Sequence, residues 1–258
     1  MLRRGPINYI TSVLLATLIL FYYLNILPLW PSFLIGLIWF LITLCGSFFI
    51  RWNYHLTSFH SNKNTPQNHI SITFDDGPHQ EFTPKILELL KKYNAKATFF
   101  CIGQQIEKHP ELFQKILDEG HAVGNHTYSH SKSFGFFGAK KVIKELSDTN
   151  DLVKEKTGLR MNLYRPAFAV TNPSIEKAVK TLQLHVIGWN VRSLDKTPRT
   201  EDMILKRITG TVSKGDIVLL HDTSEKTVRV LERLLLFLER KKLQSVTVDQ
   251  LLQIKAYA

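Results

Sequence analysis

Hydrophobic and polar positions divide the chain into two regions of different character. Between Gly5 and Ile50 there is no Asp, Glu, Lys or Arg, whereas charged residues recur throughout the remainder. Segments 7–27 and 33–50 are each long enough, at about 1.5 Å per residue, to cross a hydrocarbon core of about 30 Å as a helix. We therefore predict a membrane anchor at residues 1–52 with one or two transmembrane helices, a linker at 53–67 and a folded domain at 68–258. A signal peptide is disfavoured because the apolar region is too long and lacks a small-x-small cleavage site.

After the linker, short apolar runs alternate with longer amphipathic segments. This alternation is typical of an α/β fold with a mostly parallel sheet. The pattern predicts strands near 70–74, 97–101, 185–187, 216–221 and 245–248, and helices at 84–93, 105–119, 139–157, 173–182, 200–211 and 227–241.

Two groups of ionisable residues are candidates for a metal site. Asp75 and Asp76 end the first predicted strand, where consecutive side chains point to opposite faces, so the two carboxylates cannot serve the same purpose. His126 and His130 are four residues apart and share one face of a helical turn. One carboxylate and two neutral imidazoles suit Zn²⁺, Co²⁺ or Ni²⁺ and leave coordination positions open for water and substrate.

Each of these patterns has a simpler interpretation. An Asp-Asp-Gly-Pro string alone is usually a solvated turn, and a single His-x-x-x-His pair is more often structural than a ligand pair. Three later motifs favour function, because each carries polar residues at or beyond a strand-like run: LYRPAF at 163–168, IGWNVRSLD at 187–195 and DIVLLHD at 216–222.

The five motifs in this order resemble the polysaccharide deacetylase family, also called NodB-like or carbohydrate esterase family 4. The resemblance covers about residues 68–250 and implies a distorted (β/α)7-type barrel with fewer than eight complete units. It also implies that Asp75 is the general base and that Asp76, His126 and His130 are the metal ligands. Arg165 would pair with Asp75 and keep it ionised, although the motif alone would also allow a surface arginine.

The resemblance assigns the remaining roles as follows. His221 would be the general acid that protonates the departing amine, and Asp195 would orient it. The backbone N–H of Phe168 would help to hold the oxyanion, and Trp189 and Pro166 would line the substrate groove. From position alone, Trp189 is equally compatible with a core residue, and Asp195 with a helix cap.

Two departures from the family pattern affect the groove rather than the mechanism. Ala167 and Ala169 stand where the family commonly has Pro and Gly, which can change the loop that aims the backbone N–H. Arg192 stands where an acidic residue often follows the tryptophan, and its positive charge near the cleft favours an anionic substrate or product.

Charge narrows the partners modestly. The chain has 33 basic and 22 acidic residues and a formal net charge of +11. A basic domain tethered to a bilayer attracts anionic lipid headgroups or polyanionic glycans. No nucleic-acid motif accompanies the charge, so nucleic acid is not an expected partner. Cys45 and Cys101 are poorly placed to pair and do not indicate a redox compartment.

The sequence therefore predicts a metal-dependent hydrolase that removes N-acetyl groups from an amino sugar of a cell-envelope polysaccharide. One alternative is a deacetylase or deformylase of a lipid-linked sugar at the membrane surface. Another is a non-catalytic glycan-binding module, which would have no chemical need for all of the acidic and histidine residues above.

Membrane topology admits two orientations. A two-helix hairpin, with Arg3 and Arg4 on the inside by the positive-inside rule, would place the domain in the cytoplasm. By analogy with family substrates, we expect the domain to face the envelope.

Overall fold

The computed structural model describes residues 3–258, so residues 1 and 2 of the predicted anchor lie outside it. Two long helices come first, and short strands then alternate with helices. The helices are α1 (Arg4–Tyr23), α2 (Trp30–Phe48), α3 (Phe82–Lys92), α4 (Gly103–Lys108), α5 (Pro110–Asp118), α6 (Ala139–Thr157), α7 (Pro173–Leu182), α8 (Glu201–Thr209), α9 (Glu225–Arg240) and α10 (Val248–Leu252). The strands are β1 (Ser58–Phe59), β2 (His69–Asp75), β3 (Ala97–Cys101), β4 (Ala122–Asn125), β5 (Leu163–Tyr164), β6 (His185–Ile187), β7 (Val191–Arg192), β8 (Ile217–His221) and β9 (Gln244–Ser245).

The strands form one curled sheet in the order β1-β6-β5-β4-β3-β2-β8-β7, with β9 beside β2. Every strand pair is parallel. The two ends of this order, β1 and β7, do not pair with each other, so the barrel is open. The predicted α/β class and the distorted (β/α)7-type barrel are confirmed.

Strand β2 shows how the sheet separates its core from its polar interior. Ile70, Ile72 and Phe74 are buried in a hydrophobic cluster with residues of α3 and α9. The alternate residues face the other side, where the Thr73 hydroxyl donates to the carbonyl of Val218 at 2.8 Å. Asp75 continues this second face. The strand therefore delivers a carboxylate into the barrel mouth while its other face forms the core.

Two predicted elements are wrong in their details. The helix expected at 105–119 is interrupted at Pro110, which begins α5; proline lacks the N–H that a continuous helix needs there and clashes with the preceding turn. The strand expected at 245–248 ends at Ser245, and Val248 begins α10. Val248 donates its N–H to the Thr98 hydroxyl at 2.9 Å rather than to a neighbouring strand.

The segment 53–67, which we expected to be a linker, packs against the sheet. It contains β1, which pairs with β6 through Ser58 and Val186 and through Phe59 and Ile187. This strand could not be predicted from the sequence, because two residues are too few to show a strand period.

Helices α1 and α2 form a hairpin, and the connection between them is at residues 24–29. The predicted segments 7–27 and 33–50 place this break later, at 28–32, but Pro31 is accommodated in the first turn of α2. Both are long and apolar enough to cross a membrane, and 0% and 6% of their apolar windows are buried. The indole N–H of Trp39 donates to the Asn8 side chain at 2.9 Å between the two helices. The beginning of α1 and the end of α2 therefore lie at the same end of the hairpin.

This end of the hairpin is bonded to the sheet domain. Arg4 forms an ion pair with Glu176 of α7 at 2.7 Å. The carbonyl of Ser47, in the last turn of α2, accepts the N–H of Thr171 at 2.9 Å. Gly46 lies so close to the ring of Tyr54 that a Cβ atom would approach its carbons to between 2.4 and 2.8 Å. These contacts fix the hairpin against the domain.

Candidate active site

The predicted site residues meet at the carboxyl ends of neighbouring strands. Asp75 ends β2 and is the register partner of His221, which ends β8. His126 follows β4, and Arg165 follows β5. Because parallel strands deliver their carboxyl ends to one rim of a barrel, residues far apart in sequence share one cleft. Its cavity volume is about 280 Å³.

Asp76, His126 and His130 form a compact set of three potential ligands. Their ligand atoms lie within 4.8 Å of one another, and the Nε2 atoms of both histidines lie 3.4 Å from Oδ1 of Asp76. Nδ1 of His126 is 2.9 Å from the carbonyl oxygen of Arg165, which can only accept a hydrogen bond. Nε2 of His126 is therefore left with a free lone pair, the form that a metal ligand needs.

The electrostatics of this set also suit a cation. Burial lowers the pKa of His130 to about 4, so its imidazole is neutral at neutral pH. Burial alone would raise the pKa of Asp76, but hydrogen bonds with His126 and Lys196 outweigh it and hold the pKa below its usual range. One carboxylate and two imidazoles are a donor set that fits a divalent transition metal.

Lys196 is a site residue that the sequence did not reveal. Its Nζ atom lies 2.6 Å from Oδ2 of Asp76, and it lines the cleft although its side chain is 53% exposed. Nothing in the motif distinguishes this lysine from a solvated surface residue.

Arg165 is fully buried and is bonded to Asp75 and the barrel wall. Its Nη1 donates to Oδ1 of Asp75 at 2.7 Å, and its Nε and Nη2 donate to the carbonyls of Ile187 and Gly188, both at 3.1 Å. Its guanidinium also lies 4.1 Å from the centre of the Phe100 ring. These contacts hold the Asp75 carboxylate in a single orientation and exclude the surface interpretation of Arg165.

His221 is coupled to the buried carboxylate of Asp195. Nδ1 of His221 lies 2.8 Å from Oδ1 of Asp195, and the backbone N–H of His221 donates to Oδ2 at 2.8 Å. Hydroxyls of Ser193 and Thr227 donate to the same carboxylate at 2.7 and 2.9 Å. Asp195 therefore orients the imidazole and does not cap the helix predicted near residue 200, whose cap is Thr200.

The pKa of His221 reflects this partner. Burial would lower it, but the hydrogen bond and charge of Asp195, with smaller contributions from Asp75 and Asp76, raise the pKa above its ordinary value of 6.5. A raised pKa favours the protonated imidazole, which is the form that a general acid needs.

Asp222, which follows His221, supports the turn that follows Asp76. It is fully buried, and burial raises the pKa of its carboxyl to about 7. Its side chain contacts the hydroxyl of Thr83 and lies against Gly77, where a Cβ atom would collide with the carboxylate. This contact explains the glycine in the turn that follows Asp76.

The groove wall is formed by Pro166, Phe168 and Trp189. Trp189 is 7% exposed, so it belongs to both the core and the cleft. Phe168 is 50% exposed, and its ring centre lies 4.5 Å from that of His130. Phe168 and Ala169 have φ angles of 57° and 61°, a left-handed backbone that favours glycine. The alanine at 169 is therefore accommodated at the cost of local strain.

The curled parallel sheet, with acidic, imidazole and guanidinium groups gathered at its carboxyl rim, is the architecture of an α/β-barrel enzyme. The polysaccharide deacetylase family model matches residues 62–187. Over 189 residues the chain is 33% identical to the peptidoglycan-N-acetylmuramic acid deacetylase PdaC of Bacillus subtilis, covering 73% of this chain and 40% of that protein. It is 34% identical to a peptidoglycan-N-acetylglucosamine deacetylase of Bacillus cereus, covering 72% of this chain and 89% of that protein.

Structural comparison agrees. A crystal structure of a peptidoglycan N-acetylglucosamine deacetylase in complex with 4-naphthalen-1-yl-N-oxidanyl-benzamide superimposes with a TM-score of 0.72 at 29% identity, covering 78% of this chain and 94% of that one. The chain therefore belongs to the polysaccharide deacetylase family, which hydrolyses N-acetyl amide bonds. The resemblance inferred from the five motifs is confirmed, whereas the roles of the individual site residues stay predictions.

Proposed function

We propose that this protein is a metal-dependent N-deacetylase acting on an N-acetylated amino sugar of a cell-envelope glycan. The observation that carries the proposal is the juxtaposition of three ligand atoms within 4.8 Å of one another with Asp75 and His221 in one cleft. Relatives named as peptidoglycan deacetylases support the substrate class.

Asp76, His126 and His130 would hold the metal. A divalent ion bound there supplies Lewis acidity, which polarises the acetyl carbonyl and makes water more acidic. The donor set favours Zn²⁺, with Co²⁺ and Ni²⁺ also compatible.

Asp75 is proposed to accept the proton of the attacking water. Its Oδ1 is occupied by Arg165 at 2.7 Å, while its Oδ2 lies 4.0 Å from Nε2 of His126, beside the ligand set. The two oxygens therefore have separate tasks. Oδ1 anchors the carboxylate, and Oδ2 is the atom available to the proton.

His221 is proposed to donate a proton to the amide nitrogen as the bond to the acetyl carbon breaks. Because Nδ1 is held by Asp195, Nε2 is the nitrogen that serves the substrate. The backbone N–H of Phe168 would donate to the oxygen that gains negative charge. Water and the amide are converted to acetate and a free amine.

The chain is also proposed to be a membrane protein anchored by the α1 and α2 hairpin. Two apolar helices with almost no buried surface support this, and in this proposal the domain lies on the membrane side where α1 begins. The domain would then work at the bilayer surface.

The test of catalysis is Asp75→Asn in the full-length protein. We expect it to retain bound metal, because Asp76 and both histidines are unchanged, and to lose acetate release from chitooligosaccharides by at least about 100-fold. Asp118→Asn, an exposed carboxylate on α5, is the matched control and should behave as wild type. Normal acetate release by Asp75→Asn would exclude Asp75 as the base.

A further inference from the structure

A second groove opens from the catalytic cleft towards the end of α2. Its volume is about 530 Å³, and it shares Ala169, Trp189 and Arg192 with the cleft. The rest of its lining comes from residues 48–52, at and after the end of α2, and from Asn190 and Arg207. The catalytic cleft therefore adjoins a space beside the end of α2.

Positive charge dominates this groove. Arg51, Arg192 and Arg207 all line it, and no carboxylate does. All three are exposed, and none belongs to an ion pair within residues 3–258. Arg207 donates through Nε to the carbonyl of Arg192 at 2.8 Å, which brings the two guanidinium-bearing residues together. Arginine forks suit phosphate oxygens, because they offer several parallel donors with a permanent charge.

The groove also lies at the depth of the lipid headgroups when the hairpin spans a bilayer. Phe48 and Phe49, at the end of α2, are each 56% exposed, and the Phe49 ring stacks on Trp52 with centroids 5.4 Å apart. Aromatic side chains of this kind mark the membrane interface. The bond between Ser47 and Thr171 keeps this end of α2 beside the loop that carries Phe168.

The distribution of arginines gives the side of the membrane. Arg3, Arg4 and Arg51 lie at the domain end of the hairpin, whereas the connection at 24–29 has no charged residue. By the positive-inside rule, the domain end is cytoplasmic, which is the hairpin orientation given above and not the envelope-facing one expected by analogy. Assembled envelope glycans are outside that compartment, but an amino sugar carried on a membrane lipid is accessible from it.

We propose that this arginine groove binds the phosphate of an N-acetyl amino sugar that is linked through phosphate to a membrane lipid. The proposal rests on the deacetylase function above and names its substrate class. The sugar enters the catalytic cleft, the phosphate contacts Arg207 and Arg51, and the lipid chain runs past Phe48 and Phe49 into the bilayer.

The test compares four probes with the full-length protein in lipid nanodiscs. They are polyprenyl-diphosphate-linked N-acetylglucosamine, dodecyl N-acetylglucosaminide as an uncharged lipid sugar, uridine-diphosphate-linked N-acetylglucosamine as a soluble phosphate sugar, and peptidoglycan. Acetate release gives kcat/KM for each. Binding of the polyprenyl probe to Asp75→Asn nanodiscs provides a readout that does not depend on turnover.

We expect kcat/KM for the polyprenyl probe to exceed that for the uncharged lipid sugar by at least about tenfold. A tenfold ratio corresponds to roughly 1.4 kcal/mol, which is about the contribution of one charge-assisted hydrogen bond. In Arg207→Gln and in Arg51→Gln this ratio of kcat/KM values should fall about tenfold. The same substitutions, made in the Asp75→Asn protein, should weaken binding of the polyprenyl probe in nanodiscs. Arg207→Lys should retain part of the ratio. Arg240→Gln is the matched control, since this exposed, unpaired arginine ends α9, far from the strand ends that form the cleft. It should leave the ratio unchanged.

Three results would overturn the inference while leaving the deacetylase function intact. They are equal kcat/KM for the two lipid sugars, a soluble phosphate sugar turned over as well as the polyprenyl probe, and a preference for peptidoglycan. Absence of acetate release from every probe by folded, metal-loaded protein would instead overturn the proposed function, and this inference with it.

Discussion

Replacing Asp195 by Asn should move the basic limb of the pH profile of kcat to lower pH. In the proposed mechanism His221 must be protonated to act as the acid, so kcat should fall as pH rises through the pKa of His221. Asp195 raises that pKa, through a hydrogen bond of 2.8 Å to Nδ1 and through its negative charge. Asparagine has nearly the same shape but no charge.

The expected shift follows from the contact that is lost. A hydrogen bond to a charged group contributes about 1.5–3 kcal/mol, and one pKa unit corresponds to about 1.4 kcal/mol. The limb should therefore fall by roughly one to two pH units. Burial, which lowers the pKa of His221, is unchanged in the variant and still opposes protonation. Asp75 and Asp76 still face the imidazole and limit the fall.

The assay is kcat against pH with saturating N-acetylated chitooligosaccharide, in variants whose metal content has been matched. Asp202→Asn on α8 is the control, because that carboxylate is 82% exposed and pairs with Arg233, away from the cleft. An unmoved limb, or one that moves to higher pH, would show that His221 is not the titrating acid or that Asp195 does not set its pKa.

Three further changes have defined outcomes. His126→Ala removes a proposed metal ligand. Loss of a ligand's hydrogen-bond partner alone lowers metal affinity by roughly 10- to 100-fold, so the affinity measured by competition with a chelator should fall by more than that. Unchanged affinity would exclude this ligand set. Ala169→Gly should raise the free energy of unfolding by about 0.5–1 kcal/mol because it relieves a φ of 61°, and an unchanged denaturation midpoint would show that the loop is not strained. The third change is a set of single cysteines in a background without native cysteines. In intact cells, Asn25→Cys should react with an impermeant thiol reagent, while Gly5→Cys and Thr57→Cys should react only after the cells are permeabilised. Labelling of positions 25 and 57 from the same side of the membrane would contradict the hairpin.

The sequence predicted those elements whose pattern is local and long. Helices at 139–157 and 173–182 match α6 and α7 residue for residue, because apolar positions recur at helical spacing and a cap or proline marks the beginning of α7. Strand β4 was missed because its four residues include Gly124 and Asn125, which do not belong to an apolar alternation. Its glycine is explained only by the fold, since a Cβ atom there would meet the Phe100 ring at 2.6 Å.

Contacts between distant residues were beyond local pattern. Arg165 and Asp75 are 90 residues apart, and only resemblance to a family connected them. Lys196 had no such support, because its contact with Asp76 depends on how the loop after β7 turns back over the cleft. Local spacing therefore indicated which residue types form the site, whereas the tertiary structure was needed to show which side chains they contact.

The hairpin of α1 and α2 is best understood as part of the active-site architecture. The loop that carries Phe168 and Ala169 has two consecutive left-handed residues, which persist only where surrounding contacts hold them. One of those contacts is the bond from Thr171 to the carbonyl of Ser47, in the last turn of α2. Helix α2 therefore helps to aim the backbone N–H that would face the oxyanion. Removal of the hairpin would release that loop and open one wall of the arginine groove, so the proposed membrane attachment and the proposed substrate recognition depend on the same contacts.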